Sequence, residues 1–209
     1  PYTMNNQDKK GLIVVISGPA GSGKSTVTKF IRENPDYVFS ISCTTRYMRA
    51  GETDGVDYYF TSRSEFLEKL DKDAFLEHAE YCDEMYGTPE EPVNEQLKLG
   101  RNVILEIDVV GAMQVKAKRP DAVLIMLLPP SFSVQEKRLR SRGTEPEEKI
   151  RKRLEKTRRE IPLASAYDYI VFNEDGKAKE AAEDIFAIVR AERFAANRIP
   201  DIESLYFEK

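Results

Sequence analysis

Ser17-Gly18-Pro19-Ala20-Gly21-Ser22-Gly23-Lys24-Ser25-Thr26 decides how the rest of this chain is read. It contains G-x-x-x-x-G-K-S, the phosphate-binding loop pattern. Before it lies Leu12-Ile13-Val14-Val15-Ile16, a short apolar run rich in β-branched residues, which predicts a buried strand. After it, Val27, Phe30 and Ile31 recur at helical spacing. Strand, glycine loop and helix together are the context that the motif requires. Glycine removes the Cβ barrier, so the backbone can curl and aim several N–H groups at one anion. The helix that follows adds its N-terminal dipole and its free N–H groups. The stretch from Gly18 to Thr26 therefore predicts a nucleoside triphosphate site. Lys24 can reach the β- and γ-phosphates, and the Ser25 hydroxyl can sit on a magnesium ion.

The chain has 209 residues and is 41% hydrophobic, enough for one sizeable core with inserted segments. No apolar run approaches the ~20 residues of a membrane span, and no secretory leader pattern is visible. Pro1-Tyr2-Thr3 precede Met4 and read as a cloning remnant, so the domain is taken as residues 4–209. Two cysteines, Cys43 and Cys82, do not make a disulfide framework, and the expected setting is a reducing cytoplasm. With His78 as the one histidine, a multi-histidine metal site is excluded. A magnesium–nucleotide complex needs neither imidazole nor thiolate. The net charge of −4 argues against nucleic acid as a partner. Positive charge is nevertheless concentrated in residues 131–160, with eleven Lys and Arg against six Asp and Glu. Such a run is ordinarily a solvated helix face. Its place after a triphosphate loop makes a mobile basic cover the sharper expectation.

Apolar strand patterns recur at 12–16, 38–42, 103–107, 122–128 and 169–172. Helical patterns lie between them at 24–34, 111–118, 133–142 and 147–160, with a last one near 177–197. This alternation predicts an α/β fold with a mainly parallel sheet flanked by helices. Residues 39–97 break it. They hold Ser40-Ile41-Ser42, Asp57-Tyr58-Tyr59-Phe60 and Ala74-Phe75-Leu76, with a short helix at 63–71 that Ser62-x-x-Glu65 can cap. A small β-rich insertion is the expectation. Pro129-Pro130 ends a strand and starts the arginine-rich helical segment. Asn102-Val103-Ile104-Leu105-Glu106-Ile107-Asp108 is an apolar strand ending in carboxylates. Beside a phosphate loop, such acids can orient magnesium or its waters.

These motifs, in this order, resemble those of guanylate kinases over roughly residues 11–197. After the phosphate loop, Arg46-Tyr47-Met48-Arg49-Ala50-Gly51-Glu52 resembles the family's R-x-x-R-x-G-E. Gly55-Val56-Asp57-Tyr58-Tyr59-Phe60 resembles its G-x-D-Y-x-F. Phe75-Leu76-Glu77, Tyr86-Gly87-Thr88, Leu105-Glu106-Ile107-Asp108 and Arg138-Leu139-Arg140-Ser141-Arg142-Gly143-Thr144 complete the set. The resemblance implies a phosphate-loop NTPase-type sheet with an inserted GMP-binding subdomain at about 39–97 and a helical lid at about 131–164. The core would be 10–38, 98–130 and 165–209. It implies transfer of the ATP γ-phosphoryl group to GMP or dGMP with Mg2+, whether as a monomer or a homo-oligomer. Arg46, Arg49, Tyr58 and Tyr86 would clamp the GMP phosphate, since guanidinium forks match phosphate oxygens. Ser42, Glu77, Thr88 and Asp108 would read guanine. A carboxylate such as Glu77 can accept from N1–H and N2–H together, with the hydroxyls serving O6. Arg138, Arg142 and Arg153 would face the triphosphate from the lid, and Asn173 would lie near the adenine. Lys24, Arg46, Arg142 and Arg153 are the expected catalytic set, with Ser25 and Glu106 toward magnesium.

Val110 stands where many relatives carry glutamine, Cys43 where serine is frequent, and Glu106 where others have aspartate. Two other readings stay open on the sequence. One is an inactive guanylate-kinase-like binding module, against which the complete set Gly23, Lys24, Ser25, Arg46, Arg49 and Glu77 speaks. The other is a phosphate-loop kinase for a different acceptor.

Overall fold

A computed structural model of the chain describes residues 10–141, 143, 145–199 and 201–207. The chain opens with β1 (Ile13–Ser17), α1 (Lys24–Arg32), β2 (Tyr37–Phe39), β3 (Cys43–Thr44), β4 (Tyr59–Phe60) and α2 (Arg63–Asp71). There follow β5 (Phe75–Tyr81), β6 (Glu84–Pro89), α3 (Glu90–Lys98), β7 (Asn102–Glu106), α4 (Val109–Lys118) and β8 (Val123–Leu128). The last part comprises α5 (Phe132–Ser141), α6 (Glu147–Glu160), a 3-10 turn (Ile161–Ala166), β9 (Tyr169–Phe172), α7 (Ala178–Glu192), a second 3-10 turn (Ala196–Arg198) and α8 (Ile202–Phe207).

Five strands form a wholly parallel sheet in the order β2-β7-β1-β8-β9. The central strands β1 and β8 are buried along their whole length, which is why they read as continuous apolar runs. Successive side chains of β1 go to opposite faces. Ile13 and Val15 pack with Val93 and Leu97 of α3 and with Ala112 and Val115 of α4. Val14 and Ile16 pack with Val27 and Ile31 of α1 and with Ala181, Ile185 and Val189 of α7. The sheet's carboxyl ends therefore carry the phosphate loop after β1 and Glu106 at the end of β7 side by side, since Ile16 pairs with Glu106.

A second, four-stranded sheet has the order β4-β3-β6-β5. Its core is Cys43, Phe66, Phe75 and Met85, with the Phe66 and Phe75 rings stacked at 4.4 Å. The helix over it begins with the expected capping box. Ser62 Oγ accepts from the Glu65 amide, and Glu65 Oε2 accepts from the Ser62 amide. The α5–α6 hairpin has a small apolar centre of Leu139, Ile150 and Leu154, against which Ala20 of the phosphate loop packs.

Three expectations change. The strand predicted at 38–42 is split between the sheets. Ser40 still donates to the Ile104 carbonyl at 2.9 Å, but the Ser42 carbonyl accepts from Tyr59 in the second sheet. One extended run crosses from core to insertion. Glu90–Lys98, inside the stretch read as β-rich, is a helix whose Val93 and Leu97 enter the main core. Its polar first turn, with Pro92 where a missing N–H is tolerated, hid it. The last long helix ends at Glu192, and Arg193 just beyond it donates to Asn102 Oδ1.

Among the described residues no helix is long and apolar enough to cross a membrane.

Candidate active site

The phosphate loop joins β1 to α1 with Gly21 and Gly23 at positive φ, 84° and 86°. Gly23 is also required by proximity, because a Cβ there would lie 2.2 Å from Asn173 Nδ2. The loop is tied down by groups remote in sequence. Asn173 Nδ2 donates to the Ser22 carbonyl at 2.8 Å, and Gln135 Nε2 donates to the Ala20 carbonyl at 2.8 Å. Gln135 is buried and also donates to Thr157 Oγ1, so one amide joins both helices of the basic hairpin to the loop. The Ser17 hydroxyl, fully buried at the end of β1, is hydrogen-bonded to Tyr167 Oη. Gln135, Ser17 and Tyr167 are absent from the sequence-derived site. Their partners are backbone or hydroxyl groups brought close only by the fold.

Lys24 Nζ donates to the Gly18 carbonyl at 2.7 Å. Burial pulls its pKa down, while the Glu106 and Glu160 carboxylates oppose that shift. Ser25 and Thr26 are exposed on the first turn of α1, and Glu106 is exposed at the end of β7. A hydroxyl and a carboxylate on neighbouring elements, both open to solvent, are the hard oxygen donors that suit Mg2+ with its own phosphate and water ligands.

In the second sheet, Arg46, Tyr58 and Tyr86 come together. Arg46 donates through both terminal nitrogens to the two oxygens of Glu52, at 3.0 and 2.8 Å. Its guanidinium lies 5.3 Å from the Tyr58 ring centre and 5.7 Å from that of Phe60. The Tyr58 and Tyr86 rings meet edge-on at 6.1 Å. The Glu52 carboxyl is held down to about 2 by Arg46 and by the Arg49 amide. Glu52 is thus the acid that orients the Arg46 guanidinium. It stands in R-x-x-R-x-G-E, and the motif was the signal that could have promoted it to the site. The Arg49 side chain is exposed.

Glu77 is buried, and burial is the main cause that pushes its pKa up. The Asp108 charge adds to the rise, and the Thr88 hydrogen bond opposes it. Thr88 Oγ1 donates to Glu77 Oε1 at 2.6 Å, so in this structure the Thr88 proton belongs to the carboxylate rather than to a base acceptor. A Cβ on Gly111 would lie 3.1 Å from Glu77 Oε2, so the turn into α4 leaves that oxygen free of side chain. Asp108 caps α4 through Oδ1, which accepts from the Gly111 amide, and Oδ2 lies 3.5 Å from Lys156 Nζ. Ser42 is half-buried at the junction of the two sheets.

On the basic hairpin, Arg138 donates through Nε and Nη2 to Asp175 Oδ1, and through Nη2 to the Asn173 carbonyl at 2.8 Å. These residues line a cleft of about 440 Å³ with Gly21, Gly23 and Thr26. Among the described residues Asn173 Oδ1, buried beside that cleft, has no partner. Arg153 donates to Glu145 at 2.7 Å, and its buried Nε has no partner among the described residues. Arg142 lies outside the described residues. Arg140 pairs with Glu136 and Glu147 on the outer face, and Arg158 lies 4.4 Å over the Phe132 ring, which are surface roles.

The chain is similar to known proteins over nearly its whole length. The family model described as guanylate kinase matches residues 10–192. A guanylate kinase of Carboxydothermus hydrogenoformans is 47% identical over 191 residues, covering 91% of this chain and 93% of that protein. One from Caldanaerobacter subterraneus is 46% identical over 195 residues, covering 93% and 94%. The crystal structure of guanylate kinase from Anaplasma phagocytophilum superposes with a TM-score of 0.73 at 33% identity, covering 96% of each chain.

Proposed function

Because the chain belongs to the guanylate kinase family, we propose a division of labour among its residues for that family's reaction. The enzyme is a nucleoside monophosphate kinase that transfers the γ-phosphoryl group of ATP to GMP, giving ADP and GDP. ATP lies with its phosphates on residues 18–26 and its adenine in the cleft beside Asn173. Lys24 leaves the Gly18 carbonyl for the β- and γ-phosphate oxygens. Ser25 and Glu106 would hold Mg2+, which would supply charge neutralisation on the triphosphate. Arg138, Arg142 and Arg153 reach the triphosphate from residues 131–164, where Asp175 and Glu145 give up Arg138 and Arg153 to it.

GMP lies against residues 39–97. Arg46, Arg49, Tyr58 and Tyr86 take its phosphate. Glu77 takes guanine N1–H and N2–H, with Ser42, Thr88 and Asp108 around it. The observation that carries this reading is Glu77, a buried carboxylate oriented by Thr88 on the same small sheet as the Arg46 cluster. Adenine would turn a lone pair toward that carboxylate, a mismatch that buried polar sites reject by ~10⁴-fold or more. The reading places the reaction in a reducing cytoplasm, with small molecules as the only ligands.

The test is a panel of GMP, dGMP, AMP, CMP and UMP with saturating ATP and magnesium, following ADP release. GMP is expected to exceed AMP by orders of magnitude. Equal rates with AMP would overturn the guanine assignment.

A further inference from the structure

We propose that Tyr167 is a positioning residue for phosphoryl transfer. Its hydroxyl ties the returning root of the basic hairpin to Ser17, directly before the phosphate loop, and so holds the loop in its transfer geometry. The inference rests on the assignment of Lys24 to the triphosphate.

The hairpin returns to the core through Arg158–Ala166, a stretch that is exposed or only partly buried at every position. Tyr167 is the first buried residue after it. Its ring belongs to the core formed with Met126, Leu128 and Val109, and Ala164 packs beside it. A phenylalanine ring could fill that space equally well, so packing does not explain the hydroxyl. The hydroxyl meets Ser17 Oγ, and among the described residues neither side chain has another hydrogen-bond partner. Each satisfies a buried group that is costly to leave unpaired.

Ser17 is one peptide away from the atom that matters. Gly18 follows it, and the Gly18 carbonyl holds Lys24 Nζ at 2.7 Å. Gly18 is wedged against β8, since a Cβ on it would lie 2.1 Å from the Leu127 carbonyl oxygen. A shift of Ser17 is therefore passed on to the Lys24 seat rather than absorbed. The outgoing root of the same hairpin grips the loop at Ala20 through Gln135. The two ends of the hairpin thus hold the loop at two points, Ser17 and Ala20. Glu160, the last residue of α6, stands on the returning root and acts on the Lys24 charge.

The experiment compares the parent with Tyr167→Phe, Ser17→Ala and the double variant, measuring kcat, both KM values and thermal melting. Each single variant is expected to lower kcat about fivefold to tenfold, the range of one buried hydrogen bond, with the GMP KM unchanged. The double variant is expected to lose no more than the worse single one, because both remove the same bond. Ser17→Thr, which keeps the hydroxyl, should retain most of the rate. Unchanged kcat in Tyr167→Phe, with or without a lower melting temperature, would overturn the proposal. So would losses that multiply in the double variant. Should Ser17→Ala not fold, Tyr167→Phe with Ser17→Thr still decides it. Lys24→Ala in the same assay separates the premise from the inference. Full activity there removes the phosphate-loop assignment, whereas a dead Lys24→Ala beside a normal Tyr167→Phe removes only the tie.

Discussion

The phosphate loop and the pocket proposed for GMP hold their cations in different ways. Lys24 is seated on a backbone carbonyl of its own loop, six residues away. Arg46 is seated on a carboxylate, with aromatic rings from β4 and β6 around it. The loop's geometry comes from contiguous residues and two glycines at positive φ. The pocket's geometry comes from strands that meet only when the second sheet forms. A contiguous site is protected by the backbone and fails through its one charge. A dispersed site fails through any of several partners, each with a smaller effect.

The largest effect that would sharpen this contrast is at Lys24. Lys24→Ala is expected to lower kcat by about 10²–10³, the scale of a preorganised charge donor, with the GMP KM within about twofold. Steady-state kinetics would show it. A near-normal kcat with only a raised ATP KM would take Lys24 out of the chemistry.

Next is Glu77→Gln, which keeps shape but turns an acceptor-only group into one that also donates. The GMP kcat/KM is expected to fall by about 10², since two charge-assisted hydrogen bonds are affected. ATP binding, measured by titration without GMP, should stay as it is. An undiminished rate with GMP would move guanine recognition elsewhere.

Smaller again is Glu52→Gln, which loosens Arg46 without removing it. The GMP KM should rise by about tenfold while the ATP KM stays put, as fits the loss of one charged orienting bond. If both KM values rose together, the two sites would not be separable in the way described.

The mildest test is pH. Burial and Asp108 raise the Glu77 pKa, and the guanine bonds proposed for it need its anion. The GMP kcat/KM should therefore fall, as pH is lowered, at a pH above the ordinary glutamate range. Stability has the opposite sign. A raised folded pKa gives stability that is full below the ordinary value and is lost as pH rises through the raised one. Rate profiles and melting curves across pH 4–7 should thus slope in opposite directions, and Glu77→Gln should flatten both. An acid limb that survives in Glu77→Gln belongs to another group.

How much of this was legible in the sequence follows the same contrast. Strand, loop and helix from Leu12 to Ile31 could be read directly, because phosphate binding there depends on local backbone freedom and on one lysine at fixed spacing. The capping box at Ser62 and Glu65 was legible for the same reason. Glu52 lay inside a recognised motif, yet its bond to Arg46 depends on how that turn folds. The extended run at 38–42 carries no mark of where it leaves one sheet for the other, since extended residues look alike on either side. The helix Glu90–Lys98 was hidden because its apolar contacts are two residues facing a core built from distant strands.

The sequence by itself determined the parallel α/β core, the strand–glycine loop–helix unit and the family, through local periodicity, glycine spacing and motif order. Only the tertiary structure decided that Thr88 donates to Glu77, that Gln135 donates to the loop carbonyl of Ala20 and that Tyr167 meets Ser17 just before the loop. It also decided that Arg46, Arg138 and Arg153 are each held by a particular acid. The physical reason is range. Backbone conformation is set within a few residues, whereas a hydrogen bond between side chains 22 or 150 positions apart exists only after the sheet and the hairpin have brought them within 3 Å.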